Sequence, residues 1–505
     1  MNVYVLFFIA LLPIVWLIVS LSALKIPAHK SGLVAIIGSV ILAIAVWKMP
    51  LGAALSSVLE GAALGLWPIM IVIIAAIFTY NLALHTKSMD VIKQMLSNIS
   101  SDRRIQVLIL AWGFGGFLEA VAGYGTAVAI PAGILAALGF EPVFAAVICL
   151  IANTVPTAFG AVGIPVTTLA KVTGLDVAPL SYQIGLQLVL FIVVIPFALV
   201  MMTTKSFKGL KGVVGITLAS GLSFAIPQLL AARFLGAELP ALLGSICSIG
   251  VTILVAKLFY KEKQKASTIK VTGKQMFLAW LPYILILTFI ILSSPLFPAI
   301  SSVLDKVQTS ITLYSGKGAK PSVFKWLNTP GMLIIIAAVI GSLIQRAKPA
   351  EILSVFGRTL KQLWKSTVTT LSIVAIAKVM GYSGMITSIA TVLVKVTGSF
   401  FPFIAPMIGS LGTFVTGSDT SSNLLFGSLQ KEVANSLGVD PYWLAAANTS
   451  GATAGKMISP QSIAVATSAT GLVGSEGKIF NQTVKFCIGY VVILGLLVYV
   501  GSLIL

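Results

Sequence analysis

Glu119-Ala-Val-Ala-Gly-Tyr-Gly-Thr126 and Thr416-Gly-Ser-Asp-Thr-Ser-Ser-Asn423 interrupt two long apolar runs, 105–140 and 401–438, each near its middle. Each interruption gathers Gly, Thr or Ser and one carboxylate where an ordinary membrane span would stay apolar. Irregular polar backbone at membrane depth is tolerated only where protein or a water-filled cavity satisfies its N–H and C=O groups. The two runs therefore read as re-entrant hairpins, and their tips as the place where polar chemistry occurs.

Around the tips, lipid is the expected solvent. Charged residues make up 9% of the 505 residues and hydrophobic ones 58%, against about 25% and about 45 to 50% in soluble domains. Ordinary crossings of about 20 residues fit near 3–24, 31–47, 62–84, 142–172, 180–203, 212–234, 239–259, 277–298, 329–345, 366–385, 441–470 and 482–504. The fold class is thus all-α, with about 12 transmembrane helices plus the two hairpins. The first span has neither a basic n-region nor a small-residue cleavage site, and is expected to be retained. The excess of 33 Lys+Arg over 14 Asp+Glu falls mostly in short loops, 204–211, 257–274 and 346–365. That is the positive-inside pattern rather than a nucleic-acid face. With these loops cytoplasmic, the N-terminus lies outside, the first hairpin enters from the cytoplasm and the second from outside.

The halves repeat in order. Leu66-Trp67 recurs as Leu363-Trp364, Gly139-Phe-Glu-Pro142 as Gly438-Val-Asp-Pro441, and Ala152-Asn-Thr154 as Ala447-Asn-Thr449. Gly163-Ile-Pro165 matches Ile458-Ser-Pro460, and Thr173-Gly-Leu175 matches Thr470-Gly-Leu472, all at offsets of about 297 residues. The expected division is N-terminal scaffold spans 1–60, a first inverted repeat 61–203, linking and scaffold spans 204–345, and a second inverted repeat 346–505. Inverted repeats with discontinuous helices mark secondary transporters. Each hairpin precedes a span expected to be broken, 142–172 at Asn153-Thr154 with Pro165, and 441–470 at Asn448-Thr449-Ser450 with Pro460. Freed half-helix N-termini there can face an anion.

Ionisable residues at membrane depth are functional candidates by default. Glu119 and Asp419 are expected to carry a coupled proton or else to cap tip amides. Lys456 and Lys378 are candidate counter-charges for a carboxylate substrate or for those two acids, although Lys378 also has the option of snorkelling. Tyr124, Gly125, Thr126, Asn153, Thr154, Ser418, Thr420, Ser421, Asn423, Asn448, Thr449 and Ser450 offer the polar groups of a binding site for a small hydroxylated anion, or satisfy one another across helices. Glu60 reads as an interfacial helix residue, and His29 and His85 as headgroup-level residues. No metal or cofactor site is expected: no His pair has ligand spacing, and Cys149, Cys247 and Cys487 are isolated in apolar surroundings. Neither a phosphate-binding Gly-rich loop nor a Ser, His and Asp set is evident, so ATP-driven pumping and enzymatic chemistry are not expected. A membrane sensor or an oxidoreductase anchor is the alternative class, disfavoured by the lack of a signalling domain or a haem-ligand His pair.

Gly116-Phe-Leu-Glu-Ala-Val-Ala-Gly-Tyr-Gly-Thr126, Leu150-Ile-Ala-Asn-Thr154, Gly412-Thr-Phe-Val-Thr-Gly-Ser-Asp-Thr-Ser-Ser-Asn-Leu-Leu-Phe-Gly427 and Gly455-Lys-Met-Ile-Ser-Pro-Gln-Ser-Ile-Ala464 resemble the L-lactate permease family over essentially the whole chain. The resemblance implies proton symport of L-lactate, with D-lactate and glycolate as further substrates, across a bacterial cytoplasmic (inner) membrane. It implies a lipid-embedded carrier whose partners are small 2-hydroxy monocarboxylates and the proton, and it leaves homo-oligomerisation open. It also suggests kinship with a wider group of ion transporters in which a transport domain moves like an elevator against a scaffold. Some of that group are sodium-coupled, so a sodium-coupled carrier of lactate or dicarboxylates is the alternative.

Overall fold

The computed structural model describes every residue except 1, 23, 25, 98, 124, 261–271, 294–296, 320, 473–474 and 505. Among the described residues, eleven helices are long and apolar enough to cross a membrane, twelve if a bent pair counts as one span. Their outward faces confirm what surrounds them. Leu33, Ile37 and Ile41, then Leu51, Leu55 and Leu59, then Leu222, Ile226 and Leu230, stand exposed at a spacing of four. Such a spacing lays a continuous apolar stripe along one helix face. Stripes of this kind are matched by lipid tails and not by water.

Several expected crossings are longer than the sequence suggests. The helix assigned to 62–84 runs Leu51–Leu64, passes a kinked turn at Gly65–Met70 and continues as Ile71–His85. The helix assigned to 366–385 is the single helix Pro349–Ser383, because Arg358, Lys361 and Lys365 are good helix formers that prolong it beyond its apolar part. A further helix, Met385–Thr397, and the amphipathic Ser88–Ser97 are not in the sequence reading. Gln308–Ile311 and Ser322–Lys325 pair as an antiparallel two-stranded ribbon, the one departure from all-α among the described residues. Trp67 in the kink donates its indole N–H to the Lys325 carbonyl at 2.9 Å, so the ribbon sits down onto the kinked helix.

Both expected hairpins are present. The first has arms Arg103–Val121 and Thr126–Ala137, the second Phe401–Thr416 and Asp419–Leu437. The first arm of the first hairpin, Arg103–Val121, is itself long enough to cross a membrane. The span after the first hairpin is bent by 57° between Pro142–Ala152 and Pro156–Thr173, with Asn153 and Thr154 at the bend as expected. In the second half the break is displaced. Pro441–Lys456 runs unbroken through Asn448, Thr449 and Ser450, and the interruption is Met457–Ser459, before Pro460–Thr470. The cause is Pro460: it cannot donate to a preceding turn and favours extended backbone before it, whereas the residues from Ala445 to Ala454 contain none.

The two halves interlock. Along the second hairpin's returning arm, Asn423 donates to the Pro165 carbonyl (3.1 Å), Ser428 to that of Val172 (3.0 Å) and Lys431 to that of Thr173 (2.5 Å). Reciprocally, Pro460–Thr470 packs on the first hairpin's returning arm, where a Cβ on Gly133 would lie 3.5 Å from the Ala469 carbonyl oxygen. Each broken segment thus leads away from the tips alongside the other half's hairpin. Phe401–Thr416 meets Pro441–Lys456 backbone to backbone: a Cβ on Gly451 would fall 2.0 Å from the Pro406 carbonyl oxygen, and one on Gly455 2.1 Å from that of Ser410. Small residues permit this approach in lipid, where packing rather than hydrophobic exclusion holds helices together.

Candidate functional site

The two tips meet at a cavity of about 90 Å³, enough for several waters or a small solute. It is bounded by Glu119, Gly123 and Gly125 of the first tip and by Gly417, Ser418, Asp419 and Thr420 of the second. The rest of its wall comes from the two breaks: Thr157, Gly160, Ala161, Ile164 and Pro165, then Lys456, Gln461, Ser462 and Val465. Three helices begin on it, with Gly125, Ser418 and Ser459 as their N-caps. Gly125 and Gly417 hold positive φ of 84° and 72°, which only a residue without Cβ adopts freely. Ser418 accepts from the Ser421 N–H (3.2 Å) and Ser459 from that of Ser462 (3.2 Å). The remaining first-turn N–H groups and the positive ends of three helix dipoles converge on one small space, an arrangement that receives anions.

Lys456, in the last turn of its helix, donates to Glu119 Oε1 at 2.5 Å, and the two side chains are 11% and 3% exposed. Glu119 reaches this position because Gly160 faces it: a Cβ there would lie 2.6 Å from Oε1. Among the described residues, the second Glu119 oxygen and both oxygens of buried Asp419 have no hydrogen-bond partner. The charges of Lys456 and Glu119 both act on Asp419. One cation and two carboxylates therefore share the chamber.

Of the residues singled out from sequence, Gly125, Ser418, Thr420, Lys456, Glu119 and Asp419 line the cavity. Thr126 lies at the tip and donates to the Gly123 carbonyl (2.7 Å). Tyr124 lies outside the described residues. Asn423, Asn448 and Thr449 sit behind the cavity wall in a closed set: Asn423 Oδ1 accepts from Asn448 Nδ2 (2.9 Å) and Thr449 Oγ1 (3.0 Å). Ser450 and Asn153 are buried with side-chain polar atoms unpartnered among the described residues, Thr154 donates to the Leu150 carbonyl (3.4 Å), and Ser421 is outside the lining.

Lys378 is elsewhere. It donates to Glu60 Oε1 at 2.8 Å, and Tyr382 donates to the same carboxylate at 3.0 Å. Glu60 is 3% exposed in mid-helix, so it is not an interfacial residue. It and Lys378 join Leu51–Leu64 to Pro349–Ser383, where a Cβ on Gly61 would fall 2.4 Å from Ala375 Cα. Thr157, Gln461 and Ser462 are the polar wall residues that sequence reasoning missed. A signal existed for two of them, since Ser459-Pro-Gln-Ser462 is a helix start whose first turn has free N–H groups.

Apolar helices long enough to span a bilayer and two hairpins meeting tip to tip at a buried polar chamber define a multi-pass membrane transport protein. The chain matches the family model described as L-lactate permease over residues 6–505, and it belongs to that family. It is 53% identical to the L-lactate permease of Streptococcus iniae over 440 residues, 87% of this chain and 93% of that one. It is 36% identical to the L-lactate permease of Escherichia coli K12 over 532 residues, 98% and 96% of the two chains. To the glycolate permease of the same strain it is 37% identical over 530 residues, 97% and 94%. Among solved structures, the YdaH transporter of Alcanivorax borkumensis covers 88% of both chains at 14% identity and a TM-score of 0.48, a likeness too slight to argue from.

Proposed function

We propose that this protein imports L-lactate, with D-lactate and glycolate as further substrates, by proton symport across a bacterial cytoplasmic membrane, with its N-terminus outside. The observation that carries the reading is the chamber itself, where three helix N-termini and one lysine face two carboxylates, one of them without a hydrogen bond among the described residues. The 2-hydroxycarboxylate binds with its carboxylate against the helix starts at Gly125, Ser418 and Ser459 and near Lys456. Its hydroxyl takes Thr420 or Ser462. Asp419 carries the coupled proton, while Glu119 holds Lys456 in place when the chamber is empty. Access alternates as the hairpins and broken segments move against a scaffold that includes Leu51–His85 and Pro349–Ser383, an elevator-type motion of the two inverted repeats.

The experiment is uptake of labelled lactate by purified protein in proteoliposomes, with and without an imposed inward proton gradient and with sodium absent. Accumulation driven by the gradient, and internal acidification on adding lactate, are expected. Uptake indifferent to the gradient refutes proton symport. A sodium-coupled reading has one observation in its favour: the Asn153 amide is buried at the first bend with neither polar atom partnered, as a cation ligand awaiting its ion would be. Dependence on external sodium at fixed pH decides for it.

A further inference from the structure

Beside the central cavity lies a larger recess, of about 340 Å³. One wall is the first broken segment, with Val162, Ile164, Thr167 and Lys171; the other is Trp67 to Val72, the ribbon at Val323 and Lys325, and Asn328 to Pro330. Ile164 lines both spaces, so the two meet at this residue.

The charges in and around this recess are unevenly satisfied. Lys325 is held by Asp305 at 2.7 Å, and Lys378, whose charge also reaches Lys171, is held by Glu60. Lys171 has neither an ion pair nor a hydrogen bond among the described residues. Repelled by the other two cations, it stands half-buried on the wall with no anion of its own. The carboxylate opposite, Glu238, lies in the turn between two helices, and burial pushes it above the usual carboxylate range although the N–H groups of Glu238 and Ala237 oppose this, which weakens its claim on Lys171. Thr329, 3% exposed, lines the recess as the N-cap of the fifteen-residue helix Pro330–Ile344, and its hydroxyl has no partner among the described residues and makes no cap. A lone half-buried cation, an idle hydroxyl and an uncapped helix start are complementary to a small anion.

We propose that this recess is a second anion site, which holds a small monocarboxylate at Lys171 and Thr329 before it passes Ile164 into the central cavity. That the monocarboxylate is lactate rests on the proposed function; that the site takes an anion does not. On the topology in which the basic loops are cytoplasmic, the recess is the outer vestibule, since the ribbon and the turn at Glu238 both lie opposite those loops. Across the central cavity, Gln461 and Val465 border a groove shared with Ala129, Ala464 and Ala469. This groove has no lysine, so the anion is captured on one side and released on the other.

Two measurements test the site separately from the substrate. In the full chain with Cys247→Ser, Thr167→Cys is reacted with an anionic and a cationic thiosulfonate reagent. The anionic reagent should react about tenfold faster, acetate should slow it, and adding Lys171→Gln should close the gap, as removing a steering charge does. Equal rates before and after Lys171→Gln overturn the site whatever the protein carries. In proteoliposomes at low ionic strength, Lys171→Gln should raise the lactate KM about five- to tenfold with the maximal rate within about twofold, and Lys171→Arg should restore it. An unchanged KM overturns the capture role. A wild type that shows the reagent preference but takes up no lactate leaves the site standing and removes lactate from it.

Discussion

Lys456→Met tests whether the chamber is held together by its ion pair. The Lys456 ammonium and Glu119 carboxylate touch at 2.5 Å with 11% and 3% of their side chains exposed. Removing one partner of so buried a pair costs about 3 to 5 kcal/mol, because it strands the other charge. The substitution should therefore lower unfolding stability in detergent micelles by about 3 kcal/mol and abolish lactate counterflow. Adding Glu119→Gln removes the stranded charge, and the double variant should regain most of the loss, to within about 1 kcal/mol of wild type, since replacing both members by neutral groups is often nearly neutral. Counterflow should stay absent, because the cation that faces the substrate is gone. The assay pairs a denaturation curve for the wild type, both single variants and the double with counterflow of labelled lactate in proteoliposomes. A Lys456→Met protein as stable as wild type refutes the buried pair. A double variant that exchanges lactate with unchanged KM refutes Lys456 as the substrate's counter-charge.

Asp419→Asn should retain lactate exchange while losing accumulation driven by a proton gradient; full gradient-driven uptake in this variant removes Asp419 from coupling. Gly160→Ala places a methyl 2.6 Å from Glu119 Oε1, so it should push the carboxylate off Lys456, lower the melting temperature, and raise the lactate KM at least about tenfold, one unit of about 1.4 kcal/mol; a KM and a melting temperature both unchanged refute the contact. Beside the ribbon, Asp305 is partly desolvated, which raises its pKa, yet hydrogen bonds from Lys325 and Asn328 hold it below the usual carboxylate range. A depressed folded pKa means that its stabilising contribution is complete above about pH 4 and is lost as pH falls through the folded value. Protease sensitivity of the ribbon should therefore be flat from neutral pH down to about pH 5 and rise only in stronger acid. Asp305→Asn should remove that acid-dependent rise.

The parts legible in the sequence were those written in local chemistry. Apolar length marked the spans, and Gly, Ser and a carboxylate inside an apolar run marked both tips, because such residues are tolerated at depth only for a structural reason. Helix bounds blurred where lysines and arginines continued a helix past its apolar part, as in Pro349–Ser383. The second break was misplaced because Asn448-Thr449-Ser450 looks polar enough to interrupt a helix. Asn448 and Thr449 are in fact absorbed by Asn423, Ser450 is simply buried within the helix, and the proline ten residues later makes the break. Partner choice was not legible at all. Nothing local says that Lys378 meets Glu60, 318 positions away, while Lys456 meets Glu119; that depends on which helices the fold sets side by side. The interlocking of each broken segment with the other half's hairpin is equally non-local.

On the proposed function, the charge content of the chamber makes a proton the natural companion of the substrate. Empty, with Lys456 paired to Glu119 and Asp419 ionised, the chamber carries one net negative charge. A lactate anion entering alone would make it two, at membrane depth and with one lysine to answer three carboxylates. Two like charges about 5 Å apart at an effective dielectric of about 20 repel by about 3 kcal/mol, more than a hundredfold in affinity. A proton arriving on Asp419 with the anion restores the single negative charge, so the empty and loaded chambers cross the membrane with the same electrostatic load. Neither half-loaded state shares it: with the proton alone the chamber is neutral, and with the anion alone it is doubly negative. Coupling then needs no dedicated gate for the proton. It follows if only the chamber with one net charge fits the moving position, and Asp419→Asn, which fixes the neutral state, should leave a chamber that moves readily only with lactate bound, an exchanger rather than a pump.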